Sequence, residues 1–127
     1  MRRFFLPFFT FILLSFSEML FPQQLYTVYL DEEIDNYVNP LELEVNPGDQ
    51  IRFISTGGDF QIAIPNANKI LEVKGLILKI ELTSGGPIRP IYTVKEVKDE
   101  IVQEYEVVNT PSGGEPDAPP KIIIRTD

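Results

Sequence analysis

Apolar side chains recur at every second position in short runs along this chain, the period of two that marks strands with one buried and one wet face. In Leu41–Val45 the apolar Leu41, Leu43 and Val45 alternate with Glu42 and Glu44. Ile51 and Phe53 alternate with Gln50 and Arg52, and Phe60, Ile62 and Ile64 repeat the inward face before Pro65. Asn46-Pro47-Gly48-Asp49 separates the first two runs. Its Pro presets φ and its Gly accepts φ > 0, which suits a type II turn. Thr56-Gly57-Gly58-Asp59 makes the second turn. Three strands so close in sequence predict one antiparallel sheet, because parallel neighbours need long crossovers.

The same pattern extends over most of the chain. Leu25–Leu30 is rich in β-branched and aromatic residues and predicts the first strand. Pro65–Lys69 reads as a polar loop. Leu71 and Val73 then resume alternation, and Leu76, Leu78, Ile80 and Leu82 continue it with the opposite parity, which predicts a β-bulge or bend near Gly75. Thr83–Pro90 is a loop, Ile91–Val97 a strand, and Ile101–Asn109 a further strand with Ile101, Gln103, Tyr105, Val107 and Asn109 on one face. Val102, Glu104, Glu106 and Val108 form its other, mixed face, which reads as solvent-exposed or as a contact surface. Pro111–Pro120 is rich in Pro and Gly and excludes regular structure, and Lys121–Arg125 closes the chain as a strand. With no repeat and no long helical period, the pattern predicts an all-β Greek-key sandwich or barrel of about seven to nine strands.

Composition changes the picture at the N-terminus. Arg2 and Arg3 precede Phe4–Phe16, a nearly unbroken apolar run too short to span a bilayer comfortably. Residues 1–24 read as a secretory signal peptide, with Ser15-Phe16-Ser17 a cleavage candidate, a cut after Gln23 or Gln24 another, and an uncleaved anchor the competing reading. Residues 25–127 are then one domain, too short for two cores. It is expected to be periplasmic, at the cell surface or secreted. The full chain has a net charge of −8, which becomes −9 for that domain once Arg2, Arg3 and Glu18 are lost, and so acidic a surface repels nucleic acid and anionic membranes. The expected partner is another envelope or extracellular protein, or a second copy of the chain. With no Cys there are no disulfides, so stability must come from the core.

The chain also has no His, and its two Met are Met1 and Met19, inside the leader. The commonest general bases and nucleophiles are absent, and Ser55, Ser84 and Ser112 have no visible activating partner, so no enzymatic activity and no cofactor are expected. Gly57-Gly58 and Gly85-Gly86 open no helix and make no phosphate cradle. Asp31, Glu32, Glu33 and Asp35 could hold Ca²⁺ through oxygen ligands, but the run lacks the regular spacing of a calcium loop, and a solvated loop is the competing reading. Pro111–Pro120 reads either as a plain connection or as a binding loop at one end of the sandwich.

Two stretches carry a family resemblance. LEVNPGDQIRFI, residues 43 to 54 with Leu41 and Glu42 before it, resembles the cupredoxin segment that precedes the first copper-binding histidine. YEVVNTPSGGEPDAPPKIIIR, residues 105 to 125, resembles the cupredoxin C-terminal half, in which a Cys and a His lead through a Met-containing loop to a last strand. The resemblance implies a cupredoxin-like fold, with an immunoglobulin-like sandwich the alternative. It places the first histidine on or next to Phe60, the cysteine on Asn109, the second histidine on Ser112, and the methionine near Ala118 or Pro119. A blue-copper site needs imidazole and thiolate donors with a weak axial ligand, and none of these residue types stands at those positions. The implied function is that of a metal-free cupredoxin-like domain acting as a binding or structural module, with Phe60 one more core residue. A self-assembling envelope or filament subunit, and a Ca²⁺- or glycan-binding accessory domain, are the alternatives.

Overall fold

A computed structural model describes residues 23–86 and 90–126, so the expected leader lies outside the described residues except for Gln23 and Gln24. The strands are β1 (Leu25–Asp31), β2 (Val38–Asn39), β3 (Glu42–Val45), β4 (Gln50–Gly57), β5 (Phe60–Ile64), β6 (Leu78–Leu82), β7 (Tyr92–Thr93), β8 (Ile101–Glu104), β9 (Glu106–Asn109) and β10 (Lys121–Ile124). They form three sheets, ordered β2-β1-β4-β7, β3-β10-β8 and β6-β5-β9. A 3-10 turn (Asp35–Tyr37) and one helical turn, α1 (Ala67–Ile70), complete the described elements.

The three strands between Leu41 and Pro65 do form, but they do not pair with one another. β3 joins β10 in parallel, β4 joins β1 in parallel, and β5 pairs antiparallel with β6 and β9. The expected antiparallel sheet is therefore replaced by strands that each lie in a different sheet. A tight turn reverses the chain equally well within a sheet or across the core, and local sequence does not distinguish the two. Both parallel pairs have the long connection that such pairing needs, residues 32–49 between β1 and β4 and residues 46–120 between β3 and β10.

Other boundaries also shift. The Ile101–Asn109 run is two strands, broken at Tyr105, where the chain passes from one sheet to another while keeping its inward parity. Pro65–Lys69 contains the start of α1, which buries Ala67 and Ile70. Residues 72–77 bend without joining a strand, so the parity change near Gly75 comes from a loop between Leu71, which bridges to Val94, and β6. The strand expected over Ile91–Val97 shrinks to β7 and that bridge.

The turn at Asn46–Asp49 has the expected chemistry. Gly48 has φ +92° and the Asp49 N–H donates to the Asn46 carbonyl at 3.0 Å. The Asp49 carboxylate is buried because it accepts from the Asn46 N–H at 2.9 Å and the Gln24 N–H at 3.2 Å. It ties the turn to the chain entering β1.

One continuous cluster forms the core, with Phe53, Phe60, Leu30, Ile51, Ile62 and Ile122 among its largest buried members. Tyr105 packs edge-on against Phe53, ring centroids 5.8 Å apart. Its hydroxyl is buried with no hydrogen-bond partner among the described residues, and burial pushes its ionisation well above the ordinary tyrosine range. A buried unpartnered hydroxyl costs about 1–3 kcal/mol. Tyr105→Phe removes that group and keeps the ring, so we expect it to raise stability by roughly 1 kcal/mol, read as a higher urea midpoint at unchanged m-value.

Candidate functional site

The positions that the resemblance singled out meet at one end of the fold. β5 begins at Phe60, whose Cα partners are Leu82 on β6 and Asn109 on β9. Phe60 is 1% exposed, and its ring lies 5.8 Å from that of Tyr37, tilted by 58°. Aromatic pairs at this spacing favour tilted over stacked geometry because each ring has a negative face and a positive edge.

Asn109 is the polar centre of this end. It is 2% exposed and uses its whole side-chain amide. Its Nδ2 donates to Glu32 Oε2 at 2.9 Å and to the Asp59 carbonyl at 3.2 Å. Its Oδ1 accepts from the Ser112 hydroxyl at 2.5 Å and from the Ser112 N–H at 3.3 Å. Backbone bonds close the loop behind it: the Gly113 N–H donates to the Asn109 carbonyl at 2.7 Å and the Asn109 N–H to the Gly114 carbonyl at 2.8 Å. Four segments, 31–37, 57–59, the end of β9 and 110–114, are thus joined through one buried amide.

The local backbone permits this. Gly58 has φ +107°, and a Cβ there would fall 2.5 Å from Glu32 Cδ. Only glycine satisfies both demands, and its bareness lets Glu32 lie across the turn to reach Asn109. Ser55, also buried, donates its hydroxyl to the Gly58 carbonyl at 2.5 Å, which is turn chemistry. Ser84 lies in an exposed loop.

The acidic run does not converge. Asp31 accepts from the Glu33 N–H at 2.9 Å and the Thr56 hydroxyl at 2.8 Å, whereas Glu32 is turned toward Asn109. Among the described residues no group of three or more His, Cys, Asp or Glu is gathered so that it could hold a metal ion. Glu32 and Asp35 instead line an open depression of about 250 Å³ with Tyr37, Glu115 and Asp117, where the Asp117 N–H donates to Asn36 Oδ1 at 2.7 Å. The run 31–35 and the 111–120 loop are therefore neighbours. Ala118 and Pro119 are exposed on that loop.

The hydrogen bond from the Glu33 N–H, helped by that from Thr56, holds the Asp31 carboxyl below the usual carboxylate range. A depressed folded-state value means stability present above the unfolded-state value and lost as pH falls through the folded one. Thr56→Val is expected to move the Asp31 midpoint upward, toward the ordinary value, in an NMR titration. The accompanying loss of stability should be present at neutral pH and vanish as the pH falls through the Asp31 titration.

Sequence reasoning brought Phe60, Asn109 and Ser112 together but missed the parts played by Tyr37, Asp59 and Glu32. In the sequence Glu32 reads only as a calcium-ligand candidate in an acidic run. No periodic signal marks these three, because the topology delivers them from separate loops.

No protein-family profile and no curated protein matches the chain. Among solved structures it is similar to the novel purple cupredoxin from Nitrosopumilus maritimus, at a TM-score of 0.50 and 14% identity, covering 78% of this chain and 98% of that one. The chain has a cupredoxin-like, all-β fold. At this identity the likeness speaks for the fold alone.

Proposed function

We propose that this chain is an exported, non-enzymatic cupredoxin-like module that works by contact with a partner. The observation that carries the reading is Asn109. At the end of the fold where the resemblance would place copper donors, a neutral amide is fully committed to Glu32, Asp59 and Ser112, with Phe60 packed beside it. A side chain with all its donors and acceptors engaged inside the protein has nothing left for a metal or a substrate. Phe60, Asn109 and Ser112 act here as a structural plug, and function falls to the surface around it. The leader-like residues 1–24 support export.

Titrating the purified protein with Cu(II) tests this. We expect no intense visible absorption band and no one-to-one uptake. A stoichiometric charge-transfer band would overturn the metal-free reading.

Self-assembly is the second reading, and one observation favours it. β8 is an edge strand of its sheet, and its Val102 is 52% exposed. Free strand edges that carry apolar side chains pair readily with other chains. Light scattering separates the readings, because a species that stays monomeric at high concentration removes the second.

A further inference from the structure

The charge of this molecule is not spread evenly. The end built from residues 31–37, 57–59 and 110–118 carries Asp31, Glu32, Glu33, Asp35, Asp59, Glu115 and Asp117, and those three segments hold no Lys or Arg. Residues 66–79 read differently, with Lys69, Lys74 and Lys79 against a single acid, Glu72. Within them the sequence Lys74-Gly75-Leu76-Ile77-Leu78-Lys79 places three adjacent large apolar residues between two lysines. Leu76 and Ile77 are each 54% exposed, more than any other large apolar residue described. Neither Lys74 nor Lys79 is in an ion pair with a described residue.

A ladder of backbone bonds fixes where this loop sits. The Gln50 N–H donates to the Gln24 carbonyl, the Val94 N–H to Asp49, and the Glu72 N–H to Thr93. The Ala67 N–H then donates to the Leu76 carbonyl at 2.7 Å, which holds the loop against α1. Residues 66–77 are thus built onto the end of the fold at which the chain enters from the apolar residues 1–22. The acidic end lies at the far end of β4, whose eight residues span roughly 26 Å at about 3.3 Å per residue. Salt screens charges beyond about 8 Å under physiological conditions. The seven carboxylates of the acidic end are therefore screened from the loop, while near it Glu72 and Glu96 stand beside Lys69 and Lys95.

We infer that the loop Lys74–Lys79 contacts an anionic lipid bilayer, with Leu76 and Ile77 entering the headgroup region and Lys74 and Lys79 pairing with lipid phosphates. The described chain begins at this same end, with Gln24 bonded to Gln50, so on the competing reading of residues 1–22 as an uncleaved anchor the loop faces the bilayer and the acidic end turns outward, whereas contact through the loop itself does not require the anchor. The inference goes beyond the proposed contact function and does not depend on the identity of any protein partner.

The absence of cysteine gives a clean test. The full sequence is expressed, the form that the cell produces is purified, and an environment-sensitive fluorophore is attached to Ile77→Cys or, as a reference at the acidic end, to Ala118→Cys. Each is mixed with vesicles of phosphatidylcholine alone or of phosphatidylcholine with phosphatidylglycerol, some carrying a headgroup-depth quencher. The expected result is a blue shift and quenching at position 77 that require phosphatidylglycerol, and neither at position 118. Each lysine near an anionic surface is worth about fivefold in binding, so Lys74→Glu with Lys79→Glu should lower the docked-to-undocked ratio roughly 25-fold or more. Leu76→Asp, read through the same label, should abolish the signal independently of the lysines. Circular dichroism and melting of each variant verify that it is folded. An unshifted label at position 77 in anionic vesicles would overturn the inference. So would a signal indifferent to the lysine substitutions, or equal quenching at position 118, which would indicate contact through another face.

Discussion

Replacing Phe60 by alanine is expected to destabilise the protein by about 3–5 kcal/mol, the range for deleting a fully buried phenyl ring. The loss has two parts. The ring's apolar surface returns to water on unfolding in the wild type but not in the variant, and a cavity remains where β5, β6 and β9 meet beneath Tyr37. Strand residues paired on both sides relax poorly, so collapse of that cavity is limited. Natural domains have roughly 5–15 kcal/mol in all, so the variant should be marginally folded. Urea unfolding gives the measurement, and Phe60→Leu should retain most of the stability, losing only about 1–1.5 kcal/mol. If the alanine variant unfolded at the wild-type midpoint, Phe60 could not be the apolar plug of this end.

Asn109→Ala should cost about 2–4 kcal/mol, by a different mechanism. It leaves the Ser112 hydroxyl and N–H without their acceptor and the Glu32 carboxylate without a donor; those two residues are exposed and turn to water, so the cost is that of the lost bonds and of the space vacated by a buried side chain. Ser112→Ala removes only one member of the network and should cost about 1 kcal/mol. Because the two residues share bonds, the double variant should be less destabilised than the sum of the single changes. Additivity in that cycle would mean that the amide does not join the loops. Asn109→Asp is expected to be worse than alanine, since it sets a second carboxylate against Glu32.

Much of this fold is legible in the sequence because period-two alternation reports burial directly. Glu42–Val45, Gln50–Gly57 and Phe60–Ile64 are strands with the inward faces that their sequences predict. Partnership is not legible in the same way. Val45 and Gln50 are joined by a turn whose chemistry, down to the positive φ of Gly48, is written in Pro47-Gly48, yet nothing local says that the strands on either side belong to different sheets. The break at Tyr105 is hidden for a related reason: alternation continues through it, so the pattern cannot show the chain changing sheets. At the candidate site, the resemblance to cupredoxins located Phe60, Asn109 and Ser112, whereas Glu32 and Tyr37 come from a loop without periodicity. Charge was read as a sum, and a sum conceals that lysines and carboxylates occupy separate regions.

The placement of β10 also governs the order in which the molecule can be made. It is the middle strand of its sheet, between β3 and β8, and Arg125 just beyond it pairs with Glu44, 81 positions earlier. Neither neighbour has a sheet to join until residues 121–124 have been synthesised. Pairing between such distant segments is slow, because a long loop must close before any contact repays it. The sheet that holds β3 and β8 is therefore closed by the last of its three strands in chain order, which ties distant parts of the sequence into one unit.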